Sequence, residues 1–134
     1  MLERDFAKLI NGALESVGAF TFNVHGHRMQ KSGMPDTYCA HPQWTGWTEL
    51  KVGQNKPSPV QINVMKDMLR RGVPAFVVRY RERVVYCELW INKKESETLA
   101  YCHEWERFKG NTRGLELLKM FNRAGDKAIE IIKG

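Results

Sequence analysis

The chain has 134 residues and a formal net charge of +6, from 21 Lys and Arg against 15 Asp and Glu. This length suits one domain with a single modest core, and a basic balance is compatible with a nucleic-acid partner. Three widely spaced cysteines without a CxxC pair argue against a disulfide framework or a structural zinc site, and they indicate reduced thiols in the cytoplasm. The sequence has neither an apolar run of the roughly 20 residues that a membrane span needs nor a signal-peptide pattern.

Residues 2–17 are predicted to form the first helix, because apolar residues recur there at helical spacing and Gly18 is a suitable C-terminal stop. Glu3 falls at the edge of the buried stripe, whereas Glu15 aligns with polar residues. Glu3 is therefore the acid of this helix that we expect near a functional site. An acid near a helix N-terminus also stabilises the helix dipole, so a structural role is the alternative.

A short strand is predicted over residues 19–24, followed by a polar, basic loop over residues 25–33. Arg28 and Lys31 in this loop suit phosphate contacts, with a solvated loop as the alternative. His25 and His27 lack a third ligand nearby in the sequence, which favours a surface pair over a zinc site.

Two strands are predicted next, over residues 35–40 and 47–52, separated by a turn. Side chains on a strand point to opposite faces in turn, so Glu49 and Lys51 share one face and Leu50 points to the other. If the two segments pair as a hairpin, Asp36 lies beside Glu49.

Two carboxylates at that distance repel each other, and a hard divalent cation such as Mg²⁺ relieves the repulsion. A lysine beside the cation suits phosphodiester hydrolysis. Taken singly, each residue also has a structural explanation. Asp36 could stabilise a turn after proline, and Glu49 could form an exposed ion pair with Lys51. The set taken together favours catalysis.

A second helix is predicted to begin after Ser58, with Pro59 at its first position. Ser58 and Gln61 fit a capping box, in which the glutamine side chain returns a hydrogen bond to the cap. We expect Gln61 to serve either this cap or a functional site, but not both. The predicted buried stripe of this helix consists of Val60, Val64, Met65, Met68 and Leu69.

Strands are predicted over residues 73–80 and 83–89. Arg79, Arg81 and Arg83 alternate, so they line one face, near a nucleic-acid path or in water. Residues 94–107 and 112–133 are predicted to be helical.

Breaks in this last part are expected near Gly110 and Gly125. Trp105 and Phe108 are expected to pack this tail on the sheet or to form a dimer surface.

The order of these features resembles the PD-(D/E)XK nuclease superfamily. It consists of an acid on the first helix, a Gly-x-Pro-Asp bend ending at Asp36, a Glu49-x-Lys51 strand, a Pro-x-Gln helix start at Gln61 and an apolar strand. Within the superfamily, the chain is most similar to the small VRR-NUC and Holliday junction resolvase-like nucleases of phages and bacteria. A bare PD…ExK pattern is common by chance, but the ordered set is more specific.

The resemblance covers residues 2–79 and implies an α/β fold. This fold has a restriction-endonuclease-like core, with a central mixed sheet of four or five strands flanked by helices and a helical C-terminal extension. Residues 1–134 then form one nuclease domain. Residues 1–89 are its catalytic core, and residues 90–134 are an extension that packs on the core or forms a dimer surface.

The resemblance also implies a metal-dependent DNA endonuclease that is selective for branched DNA, such as four-way junctions or flaps, with nicking of ordinary duplex DNA as the alternative. Asp36, Glu49 and the backbone carbonyl of Leu50 would bind Mg²⁺ or Mn²⁺, with Glu3 acting directly or through water. Lys51 and Gln61 would complete the catalytic set. The residues implied to contact nucleic acid are His27, Arg28, Lys31, Ser32 and Lys56. The expected setting is a homodimer acting on DNA in the cytoplasm of a bacterium or a phage-infected cell, with neither a nucleotide cofactor nor a membrane.

Two functions of other classes stay open. One is a nucleic-acid-binding module that has the same fold but does not cut, and the other is a cytoplasmic interaction protein whose charge pairs are only structural. The combination of Asp36, Glu49 and Lys51 favours the enzyme, because a protein that does not cut has no need of all three.

Overall fold

The computed structural model describes residues 1–24 and 32–134. In these ranges the chain forms α1 (Glu3–Glu15), β1 (Phe20–Asn23), β2 (Thr37–His41), β3 (Trp44–Val52), α2 (Pro59–Arg70), β4 (Ala75–Arg81), β5 (Val84–Asn92), β6 (Glu95–Cys102), a short 3-10 helix (Trp105–Arg107) and α3 (Gly110–Lys133). Each helix within the described ranges is too short or too polar to span a lipid bilayer.

The strands of the two described ranges form one sheet in the order β1-β2-β3-β4-β5-β6. β3 and β4 are parallel and are joined by α2 as a crossover, whereas every other neighbouring pair is antiparallel. The predicted α/β fold with a central mixed sheet and flanking helices is therefore confirmed. The sheet is larger than expected, with six described strands instead of four or five.

Alternation along the strands gives the sheet two buried faces. One face packs against α1 and α3, where Leu50 lies in a cluster with Phe6 and Phe121. The opposite face packs against α2 through a smaller cluster of Ile62, Met65, Ala75, Val77 and Trp90. The confirmed alternation of β3 thus directs Leu50 into the larger cluster and Glu49 to the face that carries α2.

The predicted buried stripe of α2 is only partly correct. Met65 and Leu69 are buried as expected, but Val60 is 48 % exposed and Ile62 replaces it in the core. Val60 lies in the first turn of the helix, where it contacts the bend at Gly33 rather than the sheet.

The prediction of a helix over residues 94–107 is wrong. Residues 95–102 instead form β6, which pairs antiparallel with β5 at the edge of the sheet. The first four residues of β6 are exposed, and only Leu99, Ala100 and Cys102 are buried. An edge strand with a polar first half lacks the regular alternation by which a strand is recognised.

The C-terminal helix α3 is continuous through Gly125, so the break expected there is wrong. A Cβ atom at Gly125 would lie 3.1 Å from both Trp44 Nε1 and Pro74 Cβ. Glycine therefore allows α3 to approach the sheet closely instead of ending the helix. The break at Gly110 is confirmed, since α3 begins there, and Trp105 just before it is buried in the same cluster as Phe121.

Candidate active site

The hairpin of β2 and β3 brings Asp36 and Glu49 together, as predicted. Thr37 is paired with Thr48, so Asp36 flanks the start of β2 opposite Glu49. The Asp36 N–H donates to Glu49 Oε1 at 3.1 Å, and the Leu50 N–H donates to Asp36 Oδ2 at 3.0 Å. Each carboxyl group is thus held by the backbone of the segment that carries the other.

The bend before Asp36 is fixed by Gly33. This residue has φ +82°, a left-handed conformation that L-residues with a side chain rarely adopt. A Cβ atom there would overlap the side chain of Val60 and lie 3.0 Å from its carbonyl carbon and oxygen. Only glycine therefore lets the bend rest directly on the first turn of α2.

Glu49 is the most constrained group of the site, being 1 % exposed. Its Oε2 lies 3.4 Å from Lys51 Nζ and accepts a hydrogen bond from Gln61 Nε2 at 3.0 Å. Burial, and next the carboxylate of Asp36, raise the pKa of Glu49 from 4.5 to about 8, although the Lys51 ammonium lowers it. Without a bound cation, Glu49 therefore keeps its proton at neutral pH.

Gln61 serves the helix cap and the site at the same time, so the expectation that it could serve only one is wrong. The side-chain Oε1 of Gln61 accepts a hydrogen bond from the Ser58 N–H at 2.9 Å. The backbone N–H of Gln61 donates to Ser58 Oγ at 3.1 Å, which completes the capping box. The side-chain nitrogen is then directed to Glu49. The amide oxygen of Gln61 binds the cap and the amide nitrogen binds Glu49. The cap therefore fixes the orientation of the nitrogen that contacts Glu49.

A cleft of about 490 Å³ opens beside this cluster, and Glu3, Asp36 and Leu50 are among the residues that line it. Glu3 is held at the rim by Asn55, whose Nδ2 donates to Glu3 Oε2 at 2.7 Å. Glu15 also lines the cleft, but it accepts a hydrogen bond from Thr21 at the end of α1. Glu3 and Glu15 therefore both share the cleft wall with Asp36 and Leu50, and Glu3 is the one that is bound to the loop after β3.

The donor set fits a hard divalent cation in part. Mg²⁺ is commonly bound through one or two carboxylates, while waters and substrate phosphates complete its shell. Asp36 and Glu49 supply such a pair. Among residues 1–24 and 32–134, however, no three His, Cys, Asp or Glu side chains lie close enough together to hold a metal ion. The site suits a cation that retains waters and does not suit a closed structural metal site, and Glu3 does not join the pair as a direct third ligand.

The residues predicted to contact nucleic acid are only partly within the described ranges. His25, His27, Arg28 and Lys31 lie outside them. Ser32 and Lys56 are described and exposed, and the Lys56 ammonium lies 5.9 Å from the centre of the Trp90 ring.

A buried ion pair on the same sheet face was missed by the sequence analysis. Arg79 is 3 % exposed, so the alternative that it lies in water is wrong. Its Nε donates to Glu88 at 2.7 Å, and its Nη1 donates to the carbonyl oxygens of Gly53 and Asn55 at 2.8 and 2.7 Å. Arg79 therefore holds the loop whose Asn55 side chain binds Glu3. The position of Arg79 after four apolar residues in β4 was a signal of burial.

Comparisons with known proteins give a similarity of limited extent. No protein-family model matches the chain, and no curated protein sequence matches it. A solved structure with a similar shape is Hjc, a Holliday junction resolvase from the hyperthermophilic archaeon Archaeoglobus fulgidus, with 19 % identity and a TM-score of 0.45. The similarity covers 63 % of this chain and 70 % of the resolvase chain. At this level of similarity, a function for this chain depends on its own site residues.

Proposed function

We propose that this protein is a metal-dependent endonuclease that hydrolyses DNA phosphodiester bonds. The observation that carries the proposal is the arrangement around Glu49, a buried carboxyl group that contacts Asp36, Lys51 and Gln61. Glu49 is buried and Asp36 beside it is half-buried, and two carboxyl groups so placed are costly unless a cation compensates their charge. A cleft beside the pair gives a cation and a phosphate access to Asp36.

Asp36, Glu49 and the backbone carbonyl of Leu50 would hold Mg²⁺ or Mn²⁺, with Glu3 contributing through a water from the cleft rim. When bound, such a cation supplies Lewis-acid stabilisation of the phosphate and a water of lowered pKa. Both carboxyl groups must be ionised to bind it, so the proton that Glu49 retains in the free protein is released on binding.

Lys51 and Gln61 have separate roles in this proposal. The ammonium of Lys51, 3.4 Å from Glu49, stabilises the negative charge that develops on the phosphate oxygens in the transition state. Gln61 fixes the orientation of the Glu49 carboxyl group through its hydrogen bond to Oε2. Because its other end is engaged in the helix cap, Gln61 is a positioning residue that needs no rearrangement to act.

The finer parts of the proposal follow from the motif resemblance. The substrate would be branched DNA such as a four-way junction, and a homodimer would place two sites on one junction. The chain would act as one nuclease domain in the cytoplasm of a bacterium or a phage-infected cell.

A nucleic-acid-binding module that does not cut is the second candidate. It is favoured by one observation, that no group of three ligating side chains forms within the described part of the chain. Under that function, Asp36 and a protonated Glu49 would be a structural pair.

A cleavage assay tests the proposal. The purified protein is incubated with supercoiled plasmid and with a labelled four-way junction, in Mg²⁺, Mn²⁺ or EDTA. Asp36→Asn is the test variant, and Asp67→Asn is its matched control, since Asp67 is an exposed acid on α2 whose carboxylate pairs with Arg70. We expect metal-dependent cutting by the wild type and Asp67→Asn and none by Asp36→Asn. Binding of the junction without cutting in any metal would support the module instead.

A further inference from the structure

A second cleft, of about 310 Å³, lies on the sheet face that carries α2. The residues of the helix cap and of the cluster around Glu49 do not line this cleft. We call it the arginine cleft and define it by its three cationic residues, its two aromatic residues and its one acid, which are Lys56, Arg79, Arg81, Tyr86, Trp90 and Glu88.

The single carboxylate of the arginine cleft is already engaged. Glu88 accepts hydrogen bonds from Arg79 Nε at 2.7 Å and from Trp90 Nε1 at 3.2 Å. The lining carries three positive charges against this one negative charge, a net of +2. In the described part of the chain, neither Lys56 nor Arg81 takes part in an ion pair. The charge of the cleft therefore favours an anion.

Arg79 forms the floor of the cleft and retains donor capacity. Its hydrogen bonds to residues of the described ranges use Nε and Nη1, which leaves the N–H donors of Nη2 for a further acceptor. A guanidinium group has five N–H donors, and these hydrogen bonds use three of them. A buried arginine held on two sides by Glu88 and the loop carbonyl oxygens is also preorganised, so it binds an anion at a low cost in side-chain entropy.

The arginine cleft lies on the same sheet face as Lys51 of the proposed active site. Lys51 on β3 is paired with Arg79 on β4, which is paired with Tyr86 on β5. Neighbouring strands are about 4.8 Å apart, so the cleft extends from roughly 5 to roughly 10 Å beyond Lys51. One strand of duplex DNA advances about 3.4 Å per nucleotide, which makes this distance about one and a half to three nucleotides.

We propose that the arginine cleft binds a backbone phosphate of the DNA strand within about three nucleotides of the bond that is cut. This assignment rests on the proposed nuclease function. Arg79 supplies a fixed donor at the floor, and the exposed side chains of Lys56 and Arg81 neutralise the phosphate from the rim. Contacts of this kind fix the position of the strand and read no sequence.

The test is the salt dependence of DNA binding, measured by fluorescence anisotropy in EDTA so that no strand is cut. The test variants are Arg81→Gln and Lys56→Gln, which change exposed rim residues and leave the buried Arg79–Glu88 pair intact. Arg83→Gln is the matched control, because Arg83 lies two residues from Arg81, carries the same charge and does not line the cleft.

Each test variant should reduce the magnitude of the slope of log K against log salt on duplex DNA, by at most about 0.9, which is the value for one fully lost phosphate contact. Arg83→Gln should keep the wild-type slope. Slopes of Arg81→Gln and Lys56→Gln that equal that of Arg83→Gln would overturn the proposal. A second result would also overturn the proposal. Inorganic phosphate would raise the Tm of the wild type but not of Arg81→Gln, while the salt slopes of DNA binding stay unchanged, which would assign the cleft to a free anion.

The plasmid assay separates this proposal from the nuclease function. The cleft proposal alone is contradicted if the wild type cuts DNA while Arg81→Gln and Lys56→Gln keep the wild-type salt slope of DNA binding. If the cleft variants reduce the salt slope of DNA binding but the wild type shows no metal-dependent cutting, the nuclease proposal alone is contradicted. A wild-type protein that binds no DNA contradicts both.

Discussion

The buried carboxyl group of Glu49 should make the stability of the metal-free protein fall as pH rises. In the folded protein, burial and the neighbouring Asp36 carboxylate raise the pKa of Glu49 to about 8, whereas the ordinary value is 4.5. Between these two values the folded chain retains a proton that the unfolded chain has lost. Raising the pH through this window therefore favours unfolding, and the effect levels off above a pH of about 8.

The expected slope follows from linkage. One proton of difference between the two states changes the free energy of unfolding by about 1.4 kcal/mol per pH unit. Across the window from 4.5 to about 8, the loss is on the order of 5 kcal/mol. Because Glu49 is 1 % exposed, solvent screening should reduce this contribution little.

The assay is urea denaturation in EDTA at several pH values, with Glu49→Gln beside the wild type. The neutral glutamine carries no titrating proton, so the variant should lose this slope and keep the contribution of all other groups. Glu97→Gln is the control, since Glu97 is exposed on β6. A Glu49→Gln protein with the full wild-type slope would refute the reasoning that burial of this carboxyl group controls the pH dependence.

Three further changes have expected results. Lys51→Met should lower kcat by about 10²- to 10³-fold while leaving the urea midpoint nearly unchanged, because its ammonium stabilises the transition state; equal loss of kcat and stability would indicate a structural role. Arg79→Met should cost about 3–5 kcal/mol in urea denaturation, because it leaves Glu88 charged and buried; a cost below 1 kcal/mol would contradict this. Gly33→Ala should cost about 2 kcal/mol or more, since a left-handed residue gains a Cβ against Val60; a wild-type Tm would contradict the proposed bend.

The paired carboxyl groups could be predicted from sequence, because both depend on local rules. Alternation along β3 places Glu49 and Lys51 on one face, and the hairpin of β2 and β3 brings Asp36 beside Glu49. The cap of α2 was equally predictable, since Ser58 and Gln61 have the spacing of a capping box. What the sequence could not show was that one amide reaches both the cap and Glu49, which depends on the distance between α2 and β3.

The parts that were predicted wrongly depend on contacts between distant segments. Arg79 alternates with exposed arginines, and its burial becomes evident only when Glu88 on the neighbouring strand and the carbonyl oxygens of the loop after β3 are placed around it. The polar first half of β6 is compatible with a strand only because β5 supplies its hydrogen-bonding partner. Tertiary pairing here overrides local propensity.

The central claim is that Asp36 and Glu49 form the metal site of a nuclease, and nicking of supercoiled plasmid tests it most directly. The wild-type protein is compared with Asp36→Asn in Mg²⁺ and in EDTA, after both have been shown to unfold at similar urea concentrations. The account predicts nicked and linear products only for the wild type in Mg²⁺. Equal cutting by Asp36→Asn, or cutting by the wild type that persists in EDTA, would contradict it.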